Sequence, residues 1–193
     1  MSRESVDDAC VVVAPQPGAP RVAMGCEHAS QALPAGWSWS AGDRWVVETH
    51  WAWDIGAETL AREVAKATGV GLVAARFSRL LIDPNRAEDS PTLIRTHCEG
   101  RELALNRAVD AAERARRLAY YRGYHDALAE HCEGADLVFA VHSFTPSYEG
   151  EDRPYTIGVL FDDSEAEARA LAAELVTETT AADVRLNEPY SGK

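Results

Sequence analysis

No stretch of this sequence approaches the roughly 18 consecutive apolar residues that a membrane-spanning helix needs. The opening segment, Met1 to Asp8, is polar and acidic and lacks the basic start and apolar core of a secretory signal. Both absences lead us to expect a cytoplasmic protein. No two cysteines stand in a C-x-x-C pair, and Cys10, Cys26, Cys98 and Cys132 are widely scattered, so reduced thiols are expected rather than a disulfide framework. Internal repeats, low-complexity tracts and linkers are also missing. Positive charge is scarce: 19 Lys and Arg stand against 31 Asp and Glu, a formal net charge of −12. Such a chain repels nucleic acid and anionic membranes. A small acidic substrate would therefore need local cations, which makes any cluster of arginines informative.

What is present suits one globular domain. The 193 residues are 46% hydrophobic and 26% charged, enough for a sizeable core over residues 1–193, with 1–18 expected as a flexible or peripheral lead-in. Apolar runs at Arg21–Gly25, Gly71–Ala75, Leu137–Val141, Tyr155–Phe161 and Val184–Leu186 predict strands, and Leu80–Ile82 predicts a further extended element. Asp54–Thr68 predicts a helix with Ile55, Leu60, Val64 and Ala67 on its apolar face and Gly69 as its stop. Glu102–Glu130 is helical in pattern, with a break near Arg122–Gly123. Ser164–Thr177 predicts a helix with Ser164 at its N-cap. Strands alternating with helices imply an α/β fold with a largely parallel sheet, whose sites collect at the carboxyl ends of strands.

His28 and His142 each follow a strand-like run. A lone histidine there is ordinarily a hydrogen-bonded loop residue. Two of them, with the carboxylate of Asp54 opening an intervening helix, form the nitrogen and oxygen set that a catalytic zinc takes while leaving a fourth position open. Asp54 also reads as a simple helix N-cap, and His50, four residues earlier, is the alternative ligand. His97, His125 and His131 lie in polar or helical stretches and read as structural. In SRLLIDPNR, Arg79, Asn85 and Arg86 surround a proline-broken loop that the LLI run should draw toward the core. Guanidinium forks there suit a carboxylate, although surface salt bridging is the plainer reading for any single arginine.

The segments GCEHAS (25–30), THWAWDIGA (49–57), SRLLIDPNR (78–86), VHSFTP (141–146), RPYTIGVLFD (153–162) and NEPYSG (187–192) together resemble, in order, the motifs of the N-formylglutamate amidohydrolase family. The resemblance implies a three-layer α/β fold with a mixed, mostly parallel sheet flanked by helices, similar to the phosphorylase/hydrolase-like fold of zinc-dependent exopeptidases and amidases. It implies Zn2+ held by His28, Asp54 and His142. It also implies a substrate carboxylate gripped by Asn85 and Arg86, with Arg79, Arg153 and Tyr190 lining the same pocket. The activity it implies is hydrolysis of the amide of N-formyl-L-glutamate or a similar N-acyl amino acid. The alternative is a non-catalytic or truncated relative that binds a carboxylate ligand. Family members usually continue past NEPYSG to a glutamate that serves as general base, so the base is expected beyond Lys193. Glu27 is the nearest candidate within the chain.

Overall fold

The computed structural model describes residues 8–148, 151–179 and 182–188. The chain forms two compact units, Met1–Phe144 and Thr145–Lys193. The first contains β1 (Cys10–Val13), β2 (Val22–Cys26), the short helix α1 (Arg44–Val47), α2 (Ala57–Thr68), β3 (Gly71–Ala75), a small hairpin of β4 (His97–Cys98) and β5 (Arg101–Glu102), a 3-10 turn (Ala104–Asn106), α3 (Ala111–Cys132) and β6 (Leu137–Ala140). Its sheet has the order β1-β3-β2-β6. β3 and β6 both run parallel to β2, with Met24 opposite Leu72 and Gly25 opposite Ala140, whereas β1 closes the β3 edge antiparallel. The parallel neighbours are joined through helical crossovers, as strands that cannot share a hairpin must be. The α/β fold with a mixed sheet between helices, expected from the alternation of strands and helices, is what the structure shows.

All five residues of β3 (GLVAA) are buried, as in a strand covered on both faces. Leu72 and Ala74 pack with Ala57, Ala61 and Ala65 of α2. Val73 and Ala75 pack with Tyr124 and Ala127 of α3 and with Phe77, Leu81 and Ile82. The period of two thus places one helix on each side of the sheet. The buried face of α2 differs from the expected one. Ile55 and Leu60 are more than half exposed, while the alanines at 57, 61 and 65 face the strands. Small side chains at every fourth position let the helix approach the sheet closely.

Residues 10–13, within the segment expected as a flexible or peripheral lead-in, form a paired edge strand. Two further expectations are corrected. Leu80–Ile82 is a buried turn rather than an extended element, although it is drawn into the core as its apolarity demands. α3 is one unbroken helix that starts only at Ala111, where Asp110 caps it by accepting from the Glu113 amide at 2.7 Å. Gly123 lies on its buried face; a helical glycine costs only about 1 kcal/mol relative to alanine, which tertiary packing readily offsets. No helix among the described residues is long and apolar enough to cross a membrane. None of the four cysteines is in a disulfide.

Asp43 holds the 3-10 turn. It is fully buried and accepts from the amides of Ala104 at 2.8 Å and Leu105 at 2.9 Å, one on each carboxylate oxygen. Asp43→Ala leaves two interior N–H groups unpaired, at about 1–3 kcal/mol each. We expect its urea midpoint to fall clearly below that of Asp43→Asn, which keeps one acceptor. Equal midpoints would show that water satisfies the turn.

The second unit contains a small hairpin of β7 (Ser147–Tyr148) and β8 (Glu151–Asp152), then β9 (Ile157–Val159), α4 (Glu165–Glu178) and β10 (Val184–Leu186). β9 and β10 pair in parallel, with Gly158 opposite Arg185, so β9-α4-β10 is a small crossover unit. Ser164 occupies the N-cap of α4 but its side chain makes no capping hydrogen bond. Asn187 adopts a left-handed backbone (φ 53°), which asparagine tolerates, and its side-chain oxygen accepts from the Phe161 amide at 2.9 Å.

Candidate active site

The sheet itself brings the two histidines together. β2 and β6 are adjacent and parallel, and the ladder runs past their ends, where the Val141 amide donates to the Gly25 carbonyl at 2.9 Å. Continuing the Gly25–Ala140 register by two residues sets Glu27 opposite His142, and His28 follows at once. The Asp54 amide donates to the His28 carbonyl at 2.9 Å, which pins the segment before α2 to the same end of the sheet. The ring centroids of His28 and His142 lie 5.1 Å apart. One donor atom from each of His28, Asp54 and His142 lies within 4.8 Å of the others.

Asp54 is not a helix cap, since Gly56 holds that position. Its Oδ2 instead accepts from His142 Nδ1 at 2.9 Å and from the Ser143 amide at 3.2 Å, while Oδ1 accepts from Arg79 Nη1 at 3.1 Å. Burial alone would raise its pKa; the hydrogen bond from His142 and the charge of Arg79 outweigh this and hold it far below the usual carboxylate range. Burial likewise works against the charged form of His142, but its contacts with Asp54 and Glu27 push it up to about 9. Glu27 Oε2 lies 3.2 Å from His142 Nε2. Burial opposes ionisation of Glu27, yet His142 holds its carboxyl below the ordinary value. Tyr124, reaching in from α3, is fully buried near Glu27; burial first and the Glu27 charge second push its phenol well above the usual range.

His28 is 1% exposed and its Nδ1 has no hydrogen-bond partner. Asp54 Oδ1, at 3.6 Å, lies beyond a normal hydrogen bond. A buried, unpartnered ring nitrogen facing a carboxylate and a second imidazole is the situation a cation resolves. Two imidazoles and one carboxylate match the donor preferences of zinc. The residues present therefore fit a divalent ion.

The remaining expected residues are distributed as follows. His50 Nε2 lies 3.4 Å from Asp54 Oδ1, at the margin of the cluster. Arg79 is mostly buried and bridges toward Asp83, with Nε 3.6 Å from Oδ2. Asn85 and Arg86 sit on the exposed loop beyond Pro84. The Asn85 amide donates to Asp83 Oδ1 at 2.9 Å, and Arg86 Nε lies 3.7 Å from Asp83 Oδ2. α3 holds this loop through Tyr121, whose hydroxyl donates to the Arg86 carbonyl at 2.8 Å, and through His125, whose Nε2 meets the Pro84 carbonyl at 3.0 Å. Arg153 belongs to the second unit, where its amide donates to the Pro146 carbonyl. Tyr190 lies outside the described residues. Sequence reasoning gave no role to Asp83 or Tyr124. Asp83 stands inside a recognised motif, whereas Tyr124 lies on a long helix with no local pattern to single it out.

The chain is thus an α/β protein whose parallel strand ends converge on imidazoles and carboxylates, and comparison with known proteins makes its class specific. The model of the N-formylglutamate amidohydrolase family matches residues 21–193, and the chain belongs to that family, whose members are hydrolases acting on amide bonds. The crystal structure of a gene product from Agrobacterium tumefaciens is similar, at 34% identity and a TM-score of 0.81, covering 97% of this chain and 76% of that one. The crystal structure of an N-formylglutamate amidohydrolase from Ralstonia eutropha shares the fold at 22% identity and a TM-score of 0.70, covering 96% of this chain and 78% of that one. No curated protein sequence matches the chain.

Proposed function

We propose that the chain hydrolyses the amide of N-formyl-L-glutamate or a closely similar N-acyl amino acid, using a divalent ion, zinc by its donor set, held by His28, Asp54 and His142. The observation that carries this reading is the convergence of those three side chains around an orphaned ring nitrogen. When bound, the ion supplies Lewis-acid polarisation of the amide carbonyl. The chain's own groups do the rest. Arg79, Asn85 and Arg86 offer a carboxylate guanidinium and amide donors, so that binding energy away from the reacting bond orients the amide. Glu27 presents a carboxylate beside His142 and is the described group placed to accept a proton from water and return it to the leaving amine. The products are formate, or another acid, and the amino acid.

The test is to prepare metal-free protein, restore zinc and measure formate release from N-formylglutamate against N-acetylglutamate and N-formylalanine. Zinc-dependent release that favours the acidic formyl substrate is expected. Tight binding of N-formylglutamate without release would instead make the chain a carboxylate binder.

Arg86 tests the specificity half of this reading. Its side chain is 47% exposed and its guanidinium approaches Asp83 only to 3.7 Å, so folding depends on it little. Loss of a hydrogen bond to a charged group costs about 1.5–3 kcal/mol. Arg86→Ala should therefore lower kcat/KM on an acidic substrate about 10- to 100-fold, with the melting temperature nearly unchanged. Unchanged kinetics with a lowered melting temperature would reassign Arg86 to a structural ion pair.

A further inference from the structure

Asp83 stands between the two halves of the site. It is 7% exposed. Its Oδ1 accepts from His28 Nε2 at 2.7 Å and from the Asn85 amide at 2.9 Å, while its Oδ2 faces Arg79 Nε at 3.6 Å and Arg86 Nε at 3.7 Å. We propose that Asp83 is a positioning residue that fixes which nitrogen of His28 faces the metal cluster and ties that ring to the arginines that orient the substrate. This rests on the reading of the site as a metal-dependent amidohydrolase.

The argument is one of donors and acceptors. A carboxylate whose neighbours are an imidazole N–H, a backbone N–H and two guanidinium groups can only accept. His28 Nε2 must then carry the hydrogen, and Nδ1 of the neutral ring is left with its lone pair. Nδ1 is the buried atom without a partner, and it points at Asp54. A hydrogen bond to one ring nitrogen sets which nitrogen is free to bind a metal. The other carboxylate oxygen extends the same constraint to Arg79, which itself donates to Asp54. His28 thus donates into the same carboxylate that Arg79 and Arg86 pair with, so a displacement of the arginine loop is felt at the ring.

Asparagine at this position cannot satisfy the pattern. Whichever way its amide turns, an NH2 group faces either His28 or the arginines. The first measurement needs no substitution: 15N-resolved histidine spectra of the intact, metal-free protein in mildly alkaline solution. His28 is expected as a single tautomer with the hydrogen on Nε2; a hydrogen on Nδ1 would overturn the proposal. The second compares Zn2+ affinity, by competition with a chromophoric chelator, among the unaltered protein, Asp83→Asn and Asp83→Glu. Asp83→Asn should mix the His28 tautomers and weaken zinc binding about 10- to 100-fold, the usual effect of removing such a partner. Asp83→Glu, still acceptor-only, should restore the single tautomer and part of the affinity. A purely structural Asp83 would lower the melting temperature of Asp83→Asn while leaving tautomer and affinity unchanged, which would sink the proposal. Neither readout involves turnover. Failure to hydrolyse N-formylglutamate would therefore count against the substrate reading alone, and an unaltered tautomer against the role of Asp83 alone.

Discussion

His142→Ala should still fold, at a lowered Tm because the buried Asp54 and Glu27 lose their partner, and should lose both its metal and its activity. The His142 side chain is about one-third exposed at the end of β6, so its removal leaves the core intact. It does remove one of the three groups whose donor atoms converge. Loss of a supporting partner alone weakens metal sites about 10- to 100-fold, and loss of a direct ligand should exceed that. Carbonyl polarisation by a metal contributes several kcal/mol, each 1.36 kcal/mol being tenfold in rate. A fall in kcat/KM of about a thousandfold or more is expected, with metal content lost in parallel. Metal analysis after gel filtration and a formate assay read both. Retention of stoichiometric zinc in His142→Ala would show that the ion, if bound, sits elsewhere.

The largest expected effect on stability comes from Arg117, far from the chemistry in role. It is 1% exposed in α3 and all three of its guanidinium nitrogens donate. Nε donates to Glu113 at 2.8 Å, Nη1 to the Leu81 carbonyl at 2.9 Å and to Asn106 Oδ1 at 2.5 Å, and Nη2 to the Leu105 carbonyl at 3.0 Å. Burial lowers its pKa, although Glu113 works against this. One side chain thus binds α3 to the 3-10 turn and to the LLI segment that leads into the loop of Asn85 and Arg86. Arg117→Ala leaves those acceptors buried and unpaired, which costs about 3–5 kcal/mol when one partner of an interior pair is removed. For a chain of this size that lowers Tm by roughly 6–20 °C. Arg117→Lys should recover little, because a point charge cannot reproduce the fork. A Tm within a degree or two of the unaltered protein would show that water replaces the guanidinium.

Much of the site was legible in the sequence because strand ends are local events. An apolar run stops, a histidine follows, and the parallel sheet implied by the alternation does the rest. Asp54 was legible for the same reason, as the acidic residue just before a helix. The structure resolves its double meaning, since the cap falls on Gly56 and leaves the carboxylate to the site. What stayed hidden depended on partners distant in sequence. Asp83 meets His28 across 55 positions, and Tyr124 reaches Glu27 from the middle of a helix. The face of α2 was misread because hydropathy ranks leucine and isoleucine above alanine, while close approach to a sheet selects the smallest side chain. The LLI segment was misread because a short apolar run does not distinguish a strand from a buried turn.

The adjacency of β2 and β6 has a consequence for how the site tolerates change. Neighbouring strands lie about 4.8 Å apart, a spacing dictated by main-chain hydrogen bonds and shared by every sheet. The opposition of Glu27 and His142, with His28 one residue further on, is therefore borrowed from the backbone. Substitutions at Met24 or Phe139 cost stability without altering that opposition. A deletion within Leu137–Ala140 acts differently, for it shifts His142 by one strand position, about 3.3 Å, and turns its side chain to the opposite face. The cluster of His28, Asp54 and His142 is thus robust to drift in residue type and brittle to drift in length.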